Sequence, residues 1–242
     1  EKIREQVVNA FGGKFYEIIV GGAAFNQEVE QFLQRIEFPY TVGYGATECA
    51  PIICYADCHD FVAGSCGKPV VHMEVKIDSP DPQNVPGEIL ARGLNVMLGY
   101  FKNEEATAQT LDADGWYHTG DLGLMDADGN VFIKGRSKNM LLGASGQNIY
   151  PEEIEDKLNS LNMVNECIVV QRGEKLVGLV YPDFDEAATM QLNDSDLENI
   201  MEENRQELNA SQPPYCRLAA IEIVKEEFEK TPKKSIKRYL YK

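Results

Sequence analysis

The sequence predicts an α/β unit followed by a smaller α+β unit. Three observations carry this. Between residues 15 and 45 the pattern runs strand, helix, strand, with glycines closing both strands; that order is the mark of a parallel α/β unit. From Val70 the pattern changes to strands and turns. Near Lys134–Lys138 glycines mix with basic residues, and beyond lie a helix, two strands, a charged helix and a strand. We place the boundary between residues 135 and 136, giving units 1–135 and 136–242.

The elements follow in order. EKIREQVVNAFGG, at the start, reads as an amphipathic helix without a signal-peptide core. FYEIIVGG (Phe15–Gly22) is apolar and β-branched, and reads as a buried strand that breaks at two glycines. Asn26 can cap a helix reaching Ile36, with Glu28 and Glu30 favoured in its first turn. FPYTVGYG then reads as the next strand. Loops at the C-terminal ends of parallel strands are where ligands bind, and Gly21–Phe25 and Gly43–Glu48 are two such loops. VHMEVKID alternates as a strand, GEILARG follows a Pro-Gly break, and Asn103–Leu111 reads as a short helix. DADG occurs twice, at Asp112–Gly115 and Asp126–Gly129, each an Asx-type turn closed by glycine. Neither copy is followed by the spaced ligands of an EF-hand. Pro151 sits at a favoured first helical position. Two short strands flank RGEK, a charged helix spans Asp194–Asn209, and a strand starts at Leu218.

Composition narrows the function. The chain has 242 residues, 43% hydrophobic and 26% charged, with a formal net charge of -16. Phosphate contacts need clustered Lys and Arg, so that charge disfavours nucleic acid as a partner. No apolar run is long enough to span a bilayer. The six cysteines are expected to be free, buried thiols. Cys54, Cys58 and His59 fall close together but lack the paired spacing of a structural zinc site. The chain lacks an initiating Met and is expected to be cut from something longer.

Residue types alone suggest a nucleotide site. Glycine-rich loops let backbone N–H groups approach phosphates closely. Tyr44, between Gly43 and Gly45, offers a ring face for a purine. Asp121, after Thr-Gly, can accept from ribose hydroxyls or simply cap a turn. Glu48 suits a hard cation such as Mg2+, which prefers carboxylate and phosphate oxygens together.

GGAAF, GYGATE, GWYHTGD, GRSKNMLLGASGQNIYPEEIE and TPKKSIKR occur in this order. Together they resemble the adenylate-forming (AMP-binding) superfamily of acyl-CoA synthetases, luciferases and adenylation domains, and look most like bacterial long-chain fatty-acid–CoA ligases. The resemblance implies that residues 1–135 end a large AMP-binding domain and that 136–242 form its small mobile C-terminal domain. It implies activation of a fatty or other carboxylic acid by ATP to an acyl-adenylate, and transfer to CoA. By the same resemblance, Gly22 and Ala23 line the adenine pocket, Tyr44 stacks on adenine, and Gly45 belongs to the nucleotide-binding loop. Thr47 contacts the α-phosphate, Glu48 holds Mg2+, Asp121 and Arg136 reach the ribose, and Ile133 packs on the nucleotide. Lys138 matches the hinge, and Ser145 and Gly146 line the CoA thiol tunnel. A cytoplasmic enzyme is expected, with peripheral membrane contact if the acyl chain is long.

Two departures stand out. The family's Ser/Thr/Gly-rich phosphate loop, ending in Pro-Lys upstream of the region matching Gly21, does not occur in these 242 residues. The chain alone is therefore expected not to activate a carboxylate. The family's Thr-Pro-x-Gly-Lys reads here Thr231-Pro232-Lys233-Lys234-Ser235. Serine at the lysine position cannot supply a positive charge, so Lys234 is the candidate substitute, with Lys233 or Lys237 next. Loading of a carrier protein, and a non-catalytic AMP-binding module, are the rival readings.

Overall fold

The computed structural model describes residues 2–232 and 234–241. The chain divides into two compact units, Glu1–Lys138 and Asn139–Lys242.

The first unit opens with α1 (Lys2–Ala10), β1 (Ile18–Val20), α2 (Gln27–Arg35) and β2 (Tyr40–Val42). The Asn26 side chain caps α2 by accepting the Glu28 and Val29 N–H groups, with Glu28 and Glu30 in the first turn. β1 and β2 pair in parallel, Ile18 opposite Tyr40, so both strands end at the same edge. The expected long, buried first strand is only three residues, and Ile19 is 53% exposed. The cause is pairing: among the described residues β1 pairs with β2 alone, and Gly22 turns at φ 91° just beyond it.

β3 (Tyr44–Gly45), β4 (Ile52–Tyr55) and β5 (Lys68–Pro69) form a small antiparallel sheet. β6 (Met73–Asp78), β7 (Gly87–Gly93), β8 (Tyr117–Met125) and β9 (Val131–Arg136) form a four-stranded antiparallel meander, with α3 (Glu104–Thr110) inserted before β8. One apolar core joins these sheets and includes Tyr40, Val42, Tyr44, Ile53, Ile77, Ile89 and Val131. Both DADG stretches are Asx turns: Asp112 Oδ1 accepts from Asp114 and Trp116, and Asp126 Oδ1 from Asp128 and Asn130.

The second unit begins with a two-stranded hairpin, β10 (Leu141–Leu142) and β11 (Asn148–Ile149), followed by α4 (Pro151–Leu158). β12 (Val164–Arg172) and β13 (Lys175–Pro182) make a long antiparallel pair, nine and eight residues rather than short. The Gly173 turn, at φ 64°, joins them, and one register runs from Arg172–Lys175 to Glu166–Tyr181 before it shifts at Val164. α5 (Phe184–Thr189), which no sequence signal singled out, precedes α6 (Asp194–Ala210) and β14 (Leu218–Ile223), the last parallel to β13. Alternate residues of β12 enter different cores. Cys167 and Val169 pack with Ile154, Leu158, Met201 and Leu218. Ile168 and Val170 pack with Val177, Leu179 and Phe228. The period of two along a strand explains the split: helices cover one face, and the C-terminal segment covers the other.

All six cysteines are free, and Cys49, Cys54, Cys66 and Cys167 are buried. Among the described residues no helix is long and apolar enough to cross a membrane.

Candidate functional site

The site in the first unit starts at the common edge of β1 and β2. Gly43 N–H donates to the Val20 carbonyl at 2.8 Å, which sets the Gly21–Gly22 turn beside the GYGATE loop. A Cβ on Gly45 would sit 2.3 Å from the Pro51 carbonyl oxygen, so that position admits only glycine. Thr47–Cys49 form a single tight turn. Asn95 fastens it by donating to the Cys49 and Ile52 carbonyls at 2.6 and 3.0 Å. Met97 N–H donates to the Glu48 carbonyl at 2.7 Å, and the Tyr100 hydroxyl donates to Glu48 Oε1 at 2.7 Å. Thr47 and Gly45 are exposed, and Glu48 is half-buried.

Asp121 lies in the middle of β8, not at a turn or helix cap, and is 8% exposed. The β8–β9 register sets it directly opposite Arg136. Its Oδ2 accepts the Tyr44 hydroxyl at 2.6 Å, and its Oδ1 meets Arg136 Nε at 2.8 Å. Its N–H donates to Thr119 Oγ1, whose hydroxyl in turn donates to the Ile89 carbonyl. Arg136 Nη1 also donates to the Thr119 carbonyl. A buried carboxylate thus sits between a phenol and a guanidinium that remains largely exposed. Burial, then the Asp121 charge, pushes the Tyr44 hydroxyl far above its ordinary pKa, so it stays a donor. Burial likewise raises Tyr117, with the Glu48 charge the next cause and Asp121 a smaller one. That buried ring therefore lies within electrostatic reach of both carboxylates.

Of the expected residues, Gly45, Thr47 and Glu48 stand on one loop, and Tyr44 joins Asp121 and Arg136 through its hydroxyl. Gly22 and Ala23 are exposed on the neighbouring turn, and Ile133 is 40% exposed on β9. The ring of Tyr44, expected as an open purine platform, is instead 7% exposed within the core. Its hydroxyl reaches the site, while the exposed surface beside it is the backbone of Gly45.

Sequence reasoning missed four contributors. Tyr100 orients Glu48, Asn95 pins its turn and Thr119 shapes the Asp121 strand. Glu88 accepts the Gly120 N–H and pairs with His118, whose other nitrogen lies 3.5 Å from Asp112. Thr119 stood inside a quoted motif; the others carry no local signal. Cys54, one of the three residues that lack zinc-site spacing, is buried in β4. Asp57, Cys58 and His59 bring donor atoms within 4.8 Å of one another on a turn.

Lys138 is exposed and is the last residue of the first unit. The remaining expected residues belong to the second unit. Ser145 and Gly146 occupy the exposed turn between β10 and β11, where Gly146 adopts φ 83° and its N–H donates to the Gly143 carbonyl. Lys234 sits at the tip of a C-terminal hairpin with φ 61°, its N–H donating to the Thr231 carbonyl at 2.8 Å. Lys225, Lys230, Lys237 and Arg238 all make ion pairs with carboxylates. Among the described residues no ion pair involves Lys234. Lys233 lies outside the described residues.

Both units resemble known proteins. A family model described as AMP-binding enzyme matches residues 5–101, and one described as AMP-binding enzyme C-terminal domain matches 138–241. A 2-succinylbenzoate–CoA ligase of Bacillus cytotoxicus is 38% identical over 168 residues, which is 67% of this chain and 34% of that protein. The long-chain-fatty-acid–CoA ligase FadD15 of Mycobacterium bovis is 32% identical over 169 residues, 70% of this chain and 27% of that protein. Among solved structures, the anthranilate CoA ligase AuaEII in complex with anthranoyl-AMP superposes with a TM-score of 0.76 at 25% identity, covering 94% of this chain and 44% of that one. The chain thus spans about a third of the length of the curated relatives it matches.

Proposed function

The chain belongs to the AMP-binding enzyme family, and from that premise we propose that the full protein activates a carboxylic acid with ATP and passes the acyl group to CoA. In the first step a carboxylate oxygen attacks the α-phosphorus of ATP and pyrophosphate leaves. In the second the CoA thiol attacks the acyl carbon and AMP leaves. The observation that carries the reading is the Tyr44–Asp121–Arg136 network beside the Thr47–Glu48 turn.

Each role follows from local chemistry. Asp121, which accepts from Tyr44 and pairs with Arg136, offers carboxylate oxygens of the kind that accept from ribose hydroxyls, and Arg136 extends from it toward solvent. Thr47, exposed on its turn, serves the α-phosphate. The backbone of Gly22, Ala23 and Gly45 offers a close approach for adenine, with Ile133 as an apolar wall. Tyr44 acts through its hydroxyl, holding Asp121 in place. Glu48, oriented by Tyr100, fits a hard divalent cation; Mg2+ there would neutralise charge on the phosphates. Lys138 falls where the two units divide, which supports its hinge role. Ser145 and Gly146, on an exposed glycine turn, serve the CoA thiol.

Lys234 supports the direct register of the tail. It adopts the left-handed conformation natural to glycine, at the position where the family motif has glycine. Ser235 then occupies the lysine position, and Lys234 is the neighbouring exposed cation. A fatty acid is our first choice of substrate, supported by the FadD15 relationship; aromatic carboxylates are second, supported by the succinylbenzoate ligase and the anthranilate ligase.

The test is pyrophosphate release by the full-length protein with a panel of carboxylates, followed by CoA consumption. Carboxylate-dependent release with AMP formation on adding CoA is expected. Release with no response to CoA overturns the acceptor, and no release with any acid overturns the activity.

A further inference from the structure

We infer that Glu155 and Arg238 are positioning residues: their buried ion pair fixes the C-terminal hairpin, and so Lys234 at its tip, on the second unit. This rests on the role proposed for Lys234.

The hairpin is closed by its own backbone. Thr231 N–H donates to the Ser235 carbonyl, Lys230 bridges Ile236, and Lys237 N–H donates to the Glu229 carbonyl. Glu229 N–H donates to the Tyr241 hydroxyl at 2.7 Å. Phe228 and Tyr241 pack edge to face at 5.1 Å, and both join the sheet face formed by Ile168, Val170, Val177 and Leu179. Apolar packing of this kind holds a segment against a sheet but specifies its register loosely.

Ion pairs supply the register, one on each leg. Lys230 Nζ meets Glu166 on β12 at 2.6 Å. Arg238 on the other leg meets Glu155 on α4. Glu155 is 6% exposed, and its second oxygen accepts the Val169 N–H at 2.5 Å. One carboxylate therefore satisfies a backbone donor of β12, an edge strand of its sheet, and grips the tail at the same time. Burial pushes the Glu155 carboxyl up, and Arg238 is the main opposing influence. A buried pair is a poor device for stability alone, because apolar residues of similar volume serve as well. Its distinctive property is directional: a guanidinium meets a carboxylate in one fixed geometry. Here helix, edge strand and tail meet at that point.

The test has two readouts. The first is residue-resolved amide exchange on the 242-residue chain, comparing Arg238→Ala, Arg238→Lys and Glu155→Gln. In Arg238→Ala the Lys234 and Lys237 amides should exchange on the order of a hundredfold faster, since breaking a buried pair is strongly destabilising, while the Ile168 and Val170 amides keep their protection. Arg238→Lys keeps charge but loses the planar fork, so an intermediate effect is expected. Glu155→Gln leaves no unpaired buried anion and so remains informative if Arg238→Ala fails to fold. Unchanged hairpin exchange, or equal acceleration across the whole unit in every folded variant, overturns the inference.

The second readout is pyrophosphate release by the full-length protein. Arg238→Ala should lower kcat at least about tenfold with little change in KM for ATP, the pattern of lost transition-state geometry, and Arg238→Lys should recover part of it. Full activity in a variant with a loosened hairpin overturns the positioning role. If the unsubstituted protein releases no pyrophosphate, the activity proposed above fails, while amide exchange still judges the ion pair.

Discussion

Asp121 is the residue on which the first unit's polar chemistry converges. It is buried, yet two side-chain donors and a local hydroxyl keep its strand in one arrangement. Leaving a buried acceptor short of a donor costs about 1–3 kcal/mol. Tyr44→Phe removes the hydroxyl and little volume, so its unfolding free energy in urea should fall by about that amount; an unchanged midpoint would mean the Tyr44–Asp121 bond is not formed. Lys234 makes an opposite kind of prediction. Its φ of 61° is strained for a residue with a Cβ. Lys234→Gly relieves that strain while freeing the unfolded chain, two effects of about 1 kcal/mol that oppose each other. Stability should therefore hold within that margin while carboxylate-dependent pyrophosphate release falls. Equal activity with equal stability would remove Lys234 from the chemistry. The glycines and carboxylates of the site were legible in the sequence because they stand in short motifs. Tyr100 and Asn95 were not, because their partner Glu48 turn is about fifty residues away in the chain and only folding brings them together.

Elements differed in legibility for a physical reason. α2 was readable because its cap and acidic first turn are local features. β8 was not recognised as a strand, although its residues alternate between more and less buried. Its buried side consists of Tyr117, Thr119, Asp121 and Gly123, so hydropathy does not follow burial. That is the mark of a strand built around a polar site. β1 was overestimated because a β-branched run resembles a fully paired strand, whereas it pairs on one side only among the described residues. The turn before β8 yields a pH prediction. The Trp116 N–H above all, then the Asp114 N–H, hold the Asp112 carboxyl below the usual carboxylate range. A depressed folded-state pKa gives stability that is present above the unfolded value of about 3.9 and lost as pH falls through the folded value. Asp112→Asn should therefore flatten the acid limb of the stability–pH profile below about pH 4. A profile as steep as that of the unsubstituted chain would place the titration elsewhere.

At the scale of the whole molecule, the chain is two self-contained units with a break at Lys138. Each has its own apolar core. The first unit carries the residues proposed for nucleotide, and the second carries those proposed for the thiol and for the tail cation. The mixed α/β architecture and its family were legible because five motifs stand in one order along nearly the entire chain. Substrate class was not, because no motif in these 242 residues reports on an acyl pocket. The claim on which everything else depends is that the Asp121 network holds a nucleotide. Calorimetric titration of AMP into this chain, beside Asp121→Ala and with thermal unfolding of both recorded, tests it most directly. The account predicts saturable binding that weakens at least about tenfold, or 1.4 kcal/mol, in the folded variant. Binding that ignores the substitution, or no binding by the unsubstituted chain, would contradict it.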